Sequence, residues 1–326
     1  MAKNQNNSLR ALPRMPGFPR KFSSSLRFTD YRADETIVSE RIVALDGTGD
    51  FDNIQAAIDD LPSGGGKVII KPGTYIIPAP ITIPNSNISI QGSGESSIID
   101  CQKLTTNLSA FDTNSKNNIH ISYLAFTNAG ASMKYFIIIN NSIDSSISNC
   151  KTSQDGGTYL SSFFMTGTVT NSRIEANQIT GGSGGIHFIG TGGIITNNNI
   201  SAITSGSSGA LICSSTSSNF TITSNIVSSG VRGTYLFYLN DSMIANNTFQ
   251  SHVRDGIELN ACSRNTIMGN SSINNGTTAT GYGIQLNAYS GTDSDNNIIS
   301  SNLLTGNDGA IDDNGTNTQY GHNITS

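Results

Sequence analysis

Residues 174–200 read IEANQITGGSGGIHFIGTGGIITNNNI, and the spacing inside this stretch decides the architecture. Ile174, Asn177 and Ile179 return as Ile195, Asn198 and Ile200. The pattern continues at Ile222/Asn225/Val227, Ile244/Asn247/Phe249 and Ile299/Asn302/Leu304, with a weaker copy at Ile267/Asn270. Successive leading isoleucines stand 21, 27, 22, 23 and 32 residues apart. Self-similarity at this period marks stacked coils. Between the first two copies lies Gly185-Ile186-His187-Phe188, which returns as Gly256-Ile257-Glu258-Leu259-Asn260 and Gly283-Ile284-Gln285-Leu286-Asn287. Apolar residues alternate over short runs, as half-buried strands require, and no 3.6-residue period competes with them.

Each coil therefore holds at least three short strands separated by tight bends. The recurring Asn is expected to take the left-handed conformation at one bend, where its amide can share hydrogen bonds with the next coil. This is the logic of a parallel β-helix. An antiparallel sandwich would instead show two-residue hairpin signals between longer strands.

Going outward from the repeats, Asp50-Phe51-Asp52-Asn53-Ile54-Gln55-Ala56-Ala57-Ile58-Asp59-Asp60-Leu61-Pro62 is the one clear helix signal. Ile54, Ala57, Ile58 and Leu61 fall on one face. Asp52 is the expected N-cap, with Gln55 three residues later. A helix over about 52–61 would cap the open end of the solenoid. Residues 1–29 carry Lys3, Arg10, Arg14, Arg20, Lys21 and Arg27 and no acid, whereas the whole chain is −5. Pro13, Pro16 and Pro19 forbid a helix there. The expected organisation is an extended basic arm over 1–42 and a β-helix over 43–326. The arm is read as docking on an acidic surface (another subunit, a nucleic acid or a larger assembly) or as an unordered tail. No stretch is long and apolar enough to insert into a membrane. The N-terminal residues lack the apolar core of a conventional signal peptide. Cys101, Cys150, Cys213 and Cys262 form no CxxC pair and read as structural thiols, with disulfides as the other option.

The run DGTGDFDNIQAAIDDLPSGGGKVIIKPGTYII (46–77) resembles the N-terminal cap of the pectate lyase-like superfamily, and DGIELNACSRNTIMGNSSI (255–273) resembles its β-helix repeat. The resemblance implies an all-β, right-handed parallel β-helix with a short N-terminal capping helix. It is specific for fold and not for reaction, because the superfamily includes polysaccharide lyases, pectin methylesterases and phage tailspikes. The Asn-Thr-Asp and Asp-Phe-Ile-Phe-Gly elements of two catalytic branches are absent, and Gln154-Asp155 matches pectin methylesterases in two letters only.

In such proteins the substrate groove runs along one strand face, and the Gly-Ile-x-Leu strand fits it best. Its outward position x is read as Ile138, Phe164, His187, Leu211, Tyr238, Glu258 and Gln285: apolar and covered early, polar and wet late. His252, Arg254, Asp255 and Glu258 form the expected catalytic cluster, with His187, Tyr238 and Gln285 binding substrate. β-Elimination needs a base and a neutralised carboxylate. Hydrolysis needs two carboxylates, which Glu258 would form with Asp255 or with Asp312 and Asp313. The bland alternative is that Asp255-Gly256 is an ordinary turn. No metal or cofactor is expected, and the acidic body makes nucleic acid a poor partner. Two functions fit. One is a virion-associated spike, extracellular, homotrimeric and binding a polysaccharide or host surface glycan. The other is a polysaccharide lyase, hydrolase or epimerase.

Overall fold

The computed structural model describes residues 39–104, 108–129, 133–153, 161–204, 209–277 and 280–326. The basic segment of residues 1–29 lies outside these described residues. The described residues form one compact unit. Its strands, mostly three to six residues long, pair in parallel with their copies one coil away.

Three ladders result. The first contains the Ile-x-x-Asn strands, from Glu40–Val43 through Arg173–Glu175 and Met243–Ala245 to Gln319–Tyr320. The second follows the Asn bend, from Gly73–Ile76 through Gln178–Thr180 to Ile324–Thr325. The third holds the Gly-Ile-x-Leu strands, including Phe163–Thr168, Leu211–Cys213, Thr234–Phe237, Ile257–Asn260 and Tyr282–Asn287. Glu40–Val43 pairs with Gly66–Ile70, so the first coil takes in residues read as the end of the arm.

Register puts like upon like. Ile174 pairs with Ile195, and the column runs on through Ile222, Ile244 and Ile267 to Ile299. All six are fully buried. Each contributes about 1.5–3 kcal/mol relative to exposure. The core column of the second ladder runs Ile179, Ile200, Val227, Phe249, Ser272, Leu304. Ser272, polar in an apolar column, is satisfied by donating to the Gly283 carbonyl at 2.8 Å and accepting from Asn275 Nδ2 at 3.0 Å.

The asparagines form a ladder, but not in the expected conformation. The residue before each takes the left-handed backbone: Ala176, Asn197, Ser224, Asn246, Gly269 and Ser301, with φ from 55 to 65°. These positions face solvent, so the next side chain turns inward. Asn177, Asn198, Asn225, Asn247, Asn270 and Asn302 are thereby buried. Asn225 Nδ2 donates to the Ile195 carbonyl and to Asn247 Oδ1, both at 2.9 Å, and its backbone N–H donates to the same Oδ1. These bonds offset the roughly 1–2 kcal/mol of a left-handed non-glycine residue. Cys150 occupies the same position one coil before Asn177 and donates its N–H to Asn177 Oδ1. All four cysteines are buried and unbridged, as structural thiols.

The cap helix, α1, spans Ile54–Asp59. Its N-cap is Asn53 instead of Asp52, because Asn53 Oδ1 accepts the Ala56 N–H at 3.0 Å. Gln55 is not part of a capping box. Its Oε1 accepts the Thr82 N–H at 2.7 Å and its Nε2 donates to the Thr82 carbonyl at 3.0 Å. The side chain thus stands in for a strand at the exposed edge of the third ladder.

Candidate functional site

The groove face is the outward side of the third ladder. Its column is set by register: Ile138 beside Phe164, Phe164 beside His187, His187 beside Ile212, and Ile212 beside Tyr235. Leu236 pairs with Leu259, which sets Tyr235 beside Glu258. Glu258 then pairs with Gln285 and Gln285 with Asp312.

Two expected members are therefore displaced. Leu211 pairs with Ile186 and points into the core, fully buried. In Gly209-Ala210-Leu211-Ile212 the glycine stands one residue further from the outward position than in Gly185-Ile186-His187. Tyr238 follows the end of strand Thr234–Phe237 at a bend with φ 55°, and Tyr235 takes the column position.

At the early end, Phe164 packs against two rings of its own chain. Its ring stacks on Tyr135 at 4.5 Å and on His187 at 4.7 Å between centroids. His187 Nδ1 lies 3.3 Å from the Tyr135 hydroxyl and Nε2 lies 2.7 Å from Ser214 Oγ. Burial holds the His187 imidazole down at about 4, neutral at ordinary pH.

The expected catalytic cluster comes apart. Glu258 is in the groove column but not wet: it is 6% exposed and ion-paired with Arg232, itself 7% exposed. Burial pushes the Glu258 carboxyl up, and the Arg232 charge opposes that shift. Glu258 Oε1 also accepts from Asn260 Nδ2 at 3.2 Å. Asp255 is buried and its Oδ1 accepts the Tyr282 N–H at 2.8 Å, fixing the turn into the next coil. Arg254 is exposed. His252 does not face the groove. It is 0% exposed at the position that Asn275 and Asn307 occupy in the following coils. Asp312 accepts from Gln285 Nε2 at 3.0 Å, and Asp313 accepts from Gly315 N and from the Tyr320 hydroxyl.

The sequence pattern does not mark Arg232, Tyr235, Phe237 or Tyr289, which the structure brings to the groove. Arg232 precedes its strand and so lies outside the outward period, yet its guanidinium carbon sits 4.5 Å over the Tyr235 ring. Tyr235 meets Phe237 edge-on at 4.6 Å, and Tyr289, from the bend two coils later, reaches back to Phe237 at 4.7 Å. Tyr238 joins them at 5.9 Å from Tyr289. Beside this aromatic set lie the amides of Asn260 and Asn287, joined at 3.2 Å, and Gln285. The arrangement offers ring faces and edges next to amide donors and acceptors, which is how a protein holds a polyhydroxylated ring.

Among the described residues no three His, Cys, Asp or Glu side chains gather to hold a metal ion, and no helix is long and apolar enough to cross a membrane.

No curated protein matches the sequence. Solved structures match in fold. The exopolygalacturonase of Thermotoga maritima aligns with a TM-score of 0.58 at 12% identity, covering 83% of this chain and 87% of the other. The alginate lyase of Paenibacillus sp. str. FPU-7 gives 0.53 at 12% identity, covering 83% and 96%. A mutant tailspike of E. coli bacteriophage HK620, solved in complex with a pentasaccharide, gives 0.54 at 12% identity; 81% of this chain spans 54% of that one. At these identities the likeness is one of fold. The family model for the right handed beta helix region matches residues 161–324, just over half of the sequence, so the chain belongs to the right-handed β-helix family.

Proposed function

We propose that the protein binds glycan along the outward face of the third ladder, as a virion-associated spike or structural protein acting outside the cell. The observation that carries the binding is the aromatic set Tyr235, Phe237 and Tyr289 beside the Gln285 and Asn287 amides. Tyr289 is 46% exposed although it packs on two aromatic rings, so its free surface is pre-organised for a ligand. The tailspike bound to a pentasaccharide shares the fold and supports the same reading. Exposed Met243, Met268 and Ile298, on the outward side of the first ladder, would be covered by side-by-side packing in a homotrimer.

The second reading is an enzyme that cleaves or modifies polysaccharide, supported by the shared fold of the exopolygalacturonase and the alginate lyase. Against it stand Glu258, tied to Arg232, and Asp255, tied to the Tyr282 backbone. Incubation with acidic and neutral polysaccharides separates the two. Binding without new reducing ends or ultraviolet-absorbing products supports the spike. Turnover that Glu258→Gln abolishes would establish the enzyme. Light scattering tests the trimer: a monomeric mass removes it.

A further inference from the structure

We infer that Ser214 is a nucleophile activated by His187 and positioned through Tyr135, forming an ester-cleaving site on the groove face. A nucleophilic hydroxyl within hydrogen-bond reach of a base, and that base oriented by a third group, is the arrangement that acyl transfer requires. Here the three come from separate coils. Ser214 Oγ is 2.7 Å from His187 Nε2, and His187 Nδ1 is 3.3 Å from the Tyr135 hydroxyl. Ser214 is exposed, so a substrate can reach it, whereas Tyr135 is buried. The imidazole plane is fixed by stacking on Phe164 at 4.7 Å and 26°. With Nδ1–H donated to the Tyr135 oxygen, the Nε2 lone pair faces the Ser214 hydroxyl. Burial keeps the imidazole unprotonated at pH 7 and also weakens it as a proton acceptor, so the 2.7 Å contact to Ser214 Oγ carries the assignment.

Ser214 Oγ bonds to the ester carbonyl carbon as its proton passes to His187 Nε2. The carbon–oxygen bond to the alcohol breaks, and that oxygen takes the Nε2 proton. Water then attacks the acyl-Ser214, giving one proton to Nε2. Ser214 leaves, recovers that proton, and the carboxylic acid departs. The sum is ester plus water to acid plus alcohol. Ile212, the ladder partner of His187, is half-buried on the same face and makes an apolar floor suited to a short acyl group. On the glycan-binding reading above, the natural ester would be an O-acyl group carried by the bound sugar. The identification of that substrate rests on that reading; the Ser214 chemistry does not.

The test uses the full chain, 4-nitrophenyl acetate and a fluorophosphonate probe. Expected are hydrolysis above background and one probe per chain on the Ser214 peptide by mass spectrometry. Ser214→Ala, with an unchanged melting temperature because the side chain is exposed, should lose both, with hydrolysis falling at least ~100-fold. Tyr135→Phe keeps the ring stack and removes the hydroxyl; it should lower kcat about tenfold at unchanged KM. No label on Ser214, or hydrolysis by Ser214→Ala at the wild-type rate, overturns the site, and an unchanged kcat in Tyr135→Phe overturns the role of Tyr135. Neither probe needs a glycan. Their failure leaves glycan binding intact, and loss of glycan binding with Ser214 still labelled refutes only the glycan reading.

Discussion

His252 Nδ1 accepts the backbone N–H of Gly230 at 3.3 Å, the bond that an asparagine Oδ1 makes elsewhere in the solenoid. One coil on, Asn275 Oδ1 accepts the His252 N–H at 3.1 Å, and Asn307 Oδ1 accepts the Asn275 N–H at 2.9 Å. His252 is thus a rung of an amide ladder. His252→Asn should fold and keep its stability at pH 7, because Asn supplies the same acceptor at the same rung. Denaturant unfolding checks this; a loss above about 2 kcal/mol would mean the ring is needed for more than the rung.

The same residue sets a pH dependence. Burial lowers the His252 pKa from 6.5 to about 4. The unfolded chain therefore binds a proton below pH 6.5 that the folded chain refuses until about pH 4. Stability is full above pH 6.5 and is lost as pH falls toward 4, by a few kcal/mol, on the order of 3 at most. His187 is shifted the same way and adds to the loss. In His252→Asn the fall between pH 7 and pH 5 should be visibly shallower. Equal slopes in the two proteins would show that His252 is protonated while folded.

Asn225→Leu tests the ladder. It removes the acceptor for Asn198 N and Nδ2 and the donor to the Ile195 carbonyl. Each orphaned buried group costs about 1–3 kcal/mol, so the loss should reach several kcal/mol. Asn246→Ala, at the exposed left-handed position beside Asn247, should cost about 1 kcal/mol or less, since Ala176 and Ala202 already hold that conformation. Comparable losses in the two variants would contradict the assignment of inward and outward roles.

Arg232 and Glu258 are each about 92% buried at the side chain. Arg232→Met leaves an unpaired carboxylate and should destabilise by about 3–5 kcal/mol near pH 7. The loss should shrink as pH falls and Glu258 takes up a proton. The double variant Arg232→Met/Glu258→Leu should recover most of it. Urea unfolding of the four proteins gives the coupling; strict additivity would mean the two charges do not feel each other.

The repeat was legible because isoleucine and asparagine occupy positions where only burial and amide pairing decide the residue. Ile174, Ile195 and Ile222 are constrained by the coils on both sides, so their period survives in the sequence. The groove column was less legible. Nothing inward fixes its residues, and a one-residue displacement of glycine at Gly209 moved the expected position from Ile212 to Leu211. Gly233-Thr234-Tyr235 carries no glycine–isoleucine signal, so nothing local marks Tyr235 instead of Tyr238 for the column. Arg232 and Tyr289 lie outside the strands, and contacts between separate coils leave no trace in a local pattern. His252 and Asp255 resemble catalytic residues in composition, and only the register shows that one is a ladder rung and the other a turn clamp.

Titration of the purified protein with oligosaccharides, acidic and neutral, beside Tyr289→Ala is the most direct measurement of the groove. Tyr289 is exposed at the solvent side of the aromatic set, so its removal should leave the melting temperature within a few degrees. At least one glycan should bind wild type and lose about tenfold or more in affinity with Tyr289→Ala. A panel in which no glycan binds, or one whose ligand binds both proteins equally, would contradict glycan recognition on this face.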